Sequence, residues 1–214
     1  MKNIISLGKV LYKPNNTLNM QLQKKDLSPK IIIICIITTL LAIVSTLSTR
    51  EEQITLILGS SIDEHLFDAY KTFMLVGVAF SALINPLIII FINTLSFYIL
   101  FIILRVKSNF RVIFCLGIFA YIPLLIDLFL RTIIQLITKE PISISPTSLF
   151  FFLQGSESFI ANILITISLT SLWQFFIYYK GFKLIFENKQ QTKVKSVLIF
   201  IAMFSLIINP IIQM

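Results

Sequence analysis

Histidine occurs once in these 214 residues, cysteine twice and glycine six times, and only 13% of residues carry a charge. Each scarcity removes a class of function. With His65 alone, no imidazole pair can ligate a catalytic zinc, and no histidine lies in an apolar segment to serve a membrane serine protease. Glycine is never grouped into a Walker A loop, a dinucleotide fingerprint or a Gly-x-Ser-x-Gly elbow, so phosphate-cradling and nucleophile-elbow chemistry are not indicated. Cys35 and Cys115 both fall within apolar runs, where a thiol reads as a small buried hydrophobe rather than half of a disulfide. No metal, cofactor or catalytic constellation emerges, and an enzyme is not the expected class.

Soluble domains carry about 25% charged residues. Here 57% of residues are hydrophobic and mean hydropathy is +0.91, so lipid is the solvent the chain is built for. In hydrocarbon the backbone can satisfy its polar groups only as helices or a closed barrel, and the runs lack barrel-strand alternation. The expected fold is therefore all-α, a polytopic membrane bundle of five helices with spans at about 31–49, 74–104, 112–135, 158–179 and 195–213. Residues 1–29 form a cytoplasmic N-terminal segment, and 30–214 the transmembrane domain. No cleavable signal peptide is expected, because the first apolar run is long enough to span and is followed by charged sequence.

Basic residues alternate across these runs. Lys2, Lys9, Lys13, Lys24, Lys25, Lys30, Arg105, Lys107, Arg111, Lys180, Lys183, Lys189, Lys193 and Lys195 fall on one side, against Arg50, Lys71 and Lys139 on the other. The positive-inside rule then places the N-terminus in the cytoplasm and the C-terminus outside. The net charge of +8 has this explanation, and with no compact basic module bearing interleaved aromatics, nucleic acid is not an expected partner.

Before the first run, Leu18 and Leu22 stand four apart beside Lys24 and Lys25. That spacing predicts a short amphipathic helix at the cytoplasmic interface, packed on headgroups or docked on a protein. Ser61-Ile62-Asp63-Glu64 reads as a capping box opening a helix that continues into the second span. The neighbouring Asp63, Glu64, His65 and Asp68 lack a second ligand cluster and do not make a metal site. The second run has 31 uncharged residues, Met74 to Leu104, so it must tilt, kink at Pro86 or protrude, with Ser81 or Asn85 near the freed backbone groups. Pro141 to Gly155 reads as an outside loop with interfacial aromatics.

Polar residues inside the runs are the main anomaly. In the fourth, Ser158, Asn162, Thr166, Thr170 and Gln174 repeat every four residues, which on one helix makes a stripe that must face other helices. Asn85 and Asn93 in the second run extend it to a polar seam. Asp127 and Arg131 in the third are four apart, on one helical face; they are either an internal ion pair that sets helix register or part of a proton or substrate relay.

Several features together resemble the Yip1 family of five-span membrane proteins. Pro14-Asn15-Asn16-Thr17-Leu18 is similar to its pre-membrane stretch, and Ser28-Pro29 precedes the first span. Tyr121-Ile122-Pro123 resembles the family's tyrosine and proline in span three. Trp173 and Gly181, eight apart, are followed by a Lys-rich loop and a last span. The resemblance covers nearly the whole chain and implies a non-enzymatic protein. Eukaryotic relatives are associated with vesicle trafficking and small-GTPase binding through a long cytosolic N-terminal region; the thirty residues here look more like the prokaryotic branch, some members of which are associated with ABC-type export or toxin-resistance assemblies. The expected role is a scaffold or accessory subunit in a bacterial plasma membrane, partnered by lipid and by another membrane protein or a second copy. A small transporter or channel using the polar seam is the alternative.

Overall fold

The computed structural model describes residues 28–48, 64–142, 144–152, 164–165, 167–186 and 190–212. The expected amphipathic helix around Leu18 and Leu22, Pro14 and the capping Ser61 lie outside them, as do Asn162 and Thr166. Among the described residues the fold is all-helical: α1 (Ser28–Ser48), α2 (Glu64–Ile103), α3 (Phe110–Ala120), α4 (Ile122–Thr138), a 3-10 turn at Leu149–Phe152, α5 (Leu169–Ile185) and α6 (Gln191–Ile212). Among the described residues three stretches are long and apolar enough to cross a membrane: Pro29–Ser48, Ala69–Ile103 and Phe110–Thr138.

α2 runs without interruption through Pro86 and has 40 residues, roughly 60 Å at ~1.5 Å per residue. Ser81 donates to the Val78 carbonyl at 3.0 Å, not to the carbonyl that Pro86 leaves unpaired. Phe73, Val76 and Phe80 are each more than 60% exposed, an arrangement that in water would be an aggregation surface and in a bilayer is ordinary lipid contact. α2 ends in a Schellman turn. Val106 N–H bonds the Phe101 carbonyl at 2.8 Å and Arg105 N–H that of Ile102 at 3.0 Å, with Arg105 in the left-handed region at φ 53° where glycine is usual. The Val106 and Phe101 side chains share the core beneath it.

The stretch expected as a single third span is two helices, α3 and α4, joined at Tyr121. Pro123 supplies no N–H to the Phe119 carbonyl and its ring crowds that group, so the helical ladder breaks where the Tyr-Ile-Pro triplet sits. Tyr121 is buried at this joint against Ile34, Ile90 and Ile118.

α3 is the centre of the bundle, with seven of its residues, Ile113 and Cys115 to Ala120, buried. It packs against α2 and α5, while α1 packs against α2 and α4, and α6 against α5 and α2. Two glycines permit this closeness. A Cβ on Gly117 would lie 3.1 Å from Thr94 Oγ1 and 3.3 Å from Ile90 Cγ2, and one on Gly181 would collide with the Leu116 side chain, its Cδ2 at 2.6 Å and Cγ at 2.9 Å. Phe97, Phe101, Tyr178, Phe182 and Phe186 then interlock α2 with α5, at ring separations of 4.6 Å for Phe97–Tyr178, 5.1 Å for Phe101–Phe182 and 4.9 Å for Phe101–Phe186. Numbers rise together along both helices in these pairs, so α2 and α5 run parallel. Trp173 is half-buried against the same cluster.

At the end of α2, Lys193 on α6 donates to the Leu104 carbonyl at 3.1 Å, a cation on the negative end of a helix dipole. The described residues Arg105, Lys107, Arg111, Lys183, Lys193 and Lys195 thus gather at one end of the bundle.

Gly181→Ala is expected to destabilise the fold by about 1–3 kcal/mol through overpacking against Leu116. Gly77→Ala, on α2 with nothing within 4 Å of the added carbon, is expected to be neutral or stabilising by up to about 1 kcal/mol. Thermal unfolding of both variants in one detergent checks the contrast.

Candidate functional site

Asp127 stands on the second turn of α4, 6% exposed, in a bundle that offers it little water. A carboxylate there must be supplied with donors. Arg131, one turn along, donates from Nε to Oδ2 at 2.9 Å, its side chain 32% exposed. The other oxygen is served from outside the helix: Ser145 Oγ and Thr147 Oγ1 both donate to Oδ1, the latter at 3.0 Å. From Thr138 to Asp127 is about 16 Å of helix, so the loop after α4 folds back along it to deliver these hydroxyls. The loop that the sequence suggested thus packs along α4.

The fold-back has a second anchor. Leu169 N–H bonds the Thr147 carbonyl and Leu149 N–H the Ile167 carbonyl, each at 3.0 Å, forming an isolated antiparallel bridge between Ser148 and Ser168. Ser168 is therefore extended, at φ −118° and ψ 155°, and α5 begins only at Leu169. This overturns the expectation of one helix through 158–179 carrying an unbroken stripe. The serines settle it locally: Ser168 Oγ accepts from the Ser171 amide and Ser171 Oγ from the Ser168 amide, both at 3.0 Å, a reciprocal capping box.

Proton counting orders the hydroxyls. Thr147 uses its one hydrogen on Asp127, so at the 3.1 Å contact with Thr170 it must accept, and Thr170 donates. Thr170 in turn accepts from Ser168 at 3.0 Å. The chain Ser168, Thr170, Thr147, Asp127 thus has a single direction, terminating on the carboxylate, and it ties α5 to α4 through the loop.

Beside this network lies a cavity of about 430 Å³ bounded by α2, α4, α5, α6 and the chain entering α5. Five of the residues proposed from sequence line it together: Asn93, Asp127, Arg131, Thr170 and Gln174. Asn85 does not. It faces a separate groove of about 470 Å³ between α1 and α2, with Thr38, Ser81 and Leu128. The positions that mark the family resemblance, Tyr121, Pro123, Trp173 and Gly181, are packing residues away from the cavity wall.

Ser145, Thr147, Ser168 and Ser171 were not anticipated. Their signal was the hydroxyl-rich run Ser143 to Ser148 next to an intramembrane acid that lacked enough donors on its own helix. Gln135 was also missed; its side chain accepts from Ser45 Oγ at 2.6 Å and donates to the Ser45 carbonyl at 2.9 Å, clamping α1 to α4.

Asp127→Asn leaves Arg131 with a neutral partner and is expected to cost about 2–3 kcal/mol, below the value for a fully buried pair because Arg131 is partly exposed. Combining Asp127→Leu with Arg131→Met is expected to recover part of that loss, and a double-mutant cycle to give coupling of about 1–3 kcal/mol. Thr147→Val, which keeps the shape and removes the hydroxyl, is expected to cost about 1–2 kcal/mol and to speed proteolysis between Lys139 and Phe152. Denaturant titrations with timed proteolysis check all three.

Comparison with known proteins fits the membrane bundle. No curated protein and no solved structure matches the chain. The family model for the Yip1 domain matches residues 8–209, nearly the whole length, and the chain belongs to this family of membrane proteins.

Proposed function

We propose that this multi-pass protein is a non-enzymatic scaffold or accessory subunit of another membrane complex, held in a bacterial plasma membrane by five spans with its N-terminus in the cytoplasm and its C-terminus outside. The observation that carries the reading is the closure of the Asp127 network: its carboxylate is committed to Arg131, Ser145 and Thr147, so the seam's acid holds elements together. Family membership adds to it, since the resemblance implies a role without catalysis, with ABC-type export or toxin-resistance assemblies as the class of partner.

The five-span arrangement draws on α5 and α6. At 17 and 22 residues they are about 26 Å and 33 Å long, close to the hydrocarbon thickness of about 30 Å. The parallel course of α2 and α5 is what spans two and four require. With the basic end of the bundle in the cytoplasm, Lys139 and the loop that folds back from it are outside. The exposed apolar faces of α1 and α2 supply surface for lipid and for a partner helix.

A small transporter or channel is the second reading, favoured by the cavity beside Asn93 and Gln174. Purified protein in liposomes separates the two. A scaffold moves no more solute than empty liposomes, and Asp127→Asn lowers only its folding yield; flux that Asp127→Asn abolishes in folded protein supports transport.

Two measurements test the leading reading. In intact cells an impermeant maleimide is expected to label Lys139→Cys at once and Lys107→Cys only after permeabilisation; the reverse order overturns the orientation. In-membrane crosslinking with mass spectrometry is expected to recover a heterologous membrane protein, and recovery of self-contacts alone sinks the partner.

A further inference from the structure

The Asp127 network closes on itself, but the cavity beside it holds two groups that it does not serve. The side-chain amides of Asn93 on α2 and Gln174 on α5 both line the space, and among the described residues neither has a hydrogen-bond partner. Asn93 is about 15 Å from the end of α2 at Ile103, and Gln174 about 16 Å from the end of α5 at Ile185. Because the helices run parallel with those ends together, the two amides sit at one level, near mid-depth of a hydrocarbon core about 30 Å thick. Amides at that depth are costly without a partner. A bundle packed to ordinary density would not leave about 430 Å³ open beside them, a volume within the range of small-molecule sites.

The lining states the chemistry of the occupant. An amide pair offers both donors and acceptors, which suits a hydroxyl or carbonyl rather than an ion. The ionisable groups on the wall, Asp127 and Arg131, already neutralise one another, and a further charge at this depth would be expensive. The remaining wall is mostly apolar, with Phe97 and Phe175 among its members, and water alone would satisfy the amides while wetting hydrocarbon. Ile201 and Ala202 complete the wall on α6, next in sequence to Met203 and Phe204, which are more than half exposed. The cavity therefore borders the lipid-facing surface.

We propose that this cavity binds an uncharged lipid, with a hydroxyl or ester carbonyl held between Asn93 and Gln174 and a hydrocarbon chain along the aromatic wall, entering from the bilayer past α6. The site is defined by the cavity and its amides and stands whether or not the protein partners a complex.

The test uses the full chain in phosphatidylcholine nanodiscs with a trace of diacylglycerol bearing a photoreactive diazirine in one acyl chain. Crosslinked peptides are expected from Phe97 and Phe175 above the level on the exposed Phe73 to Phe80 face. Unlabelled diacylglycerol is expected to suppress cavity labelling, and phosphatidic acid of the same chains to leave it. Asn93→Leu combined with Gln174→Leu is expected to reduce cavity labelling about tenfold, with the unfolding temperature unchanged or raised, since unpaired amides are removed. A merely structural role for the amides would lower that temperature. Labelling no greater than on the exposed face, equal competition by phosphatidic acid, or undiminished labelling of the double variant each overturns the proposal.

Discussion

A single carboxylate in an apolar bundle organises one half of this fold. Asp127 cannot be left dry and unpaired, and Arg131 on its own helix reaches only one of its oxygens. The other oxygen takes hydroxyls from the chain after α4, which folds back some three helical turns to supply them. Once Thr147 is at the carboxylate, its neighbours pair with Ile167 to Leu169, and the start of α5 is displaced to Leu169. The cavity lies beside this junction, bounded by α2, α4, α5 and α6.

The other half is set by contact distance. Gly117 and Gly181 let α3 approach α2 and α5 closely enough for Leu116 to take the place a β-carbon would hold. In lipid there is little hydrophobic drive between helices, so such close packing and the aromatic interlock of Phe97, Phe101, Tyr178 and Phe182 must supply association. The family marks acquire physical meaning in this setting. Tyr121 and Pro123 form the joint that divides the third apolar run, and Gly181 meets Leu116 of α3 too closely for a Cβ.

Much of the architecture was legible because it depends on local composition. Apolar run lengths identified α1, α2 and the α3–α4 stretch, while the i, i+4 spacing of Asp127 and Arg131 left an ion pair or a relay open until the structure showed Arg131 Nε on Asp127 Oδ2. The site was only partly legible. Asn93, Thr170 and Gln174 line one cavity, whereas Asn85, of the same residue type and in the same run as Asn93, faces another groove, because rotation about α2 is fixed by its neighbours and not by its own pattern. Ser145 and Thr147 were hidden in a loop, where hydroxyl residues are common and carry no periodicity.

The sequence by itself determined the solvent, the helical class and the distribution of basic residues, since these follow from counting residues along the chain and from the cost of charge and open backbone in hydrocarbon. Only the tertiary structure decided where the fifteen or so residues after α4 would go. That choice turns on satisfying the two oxygens of one buried acid with donors distant in sequence, a requirement visible in the chain but with a solution that exists only when α4, the loop and α5 are brought together.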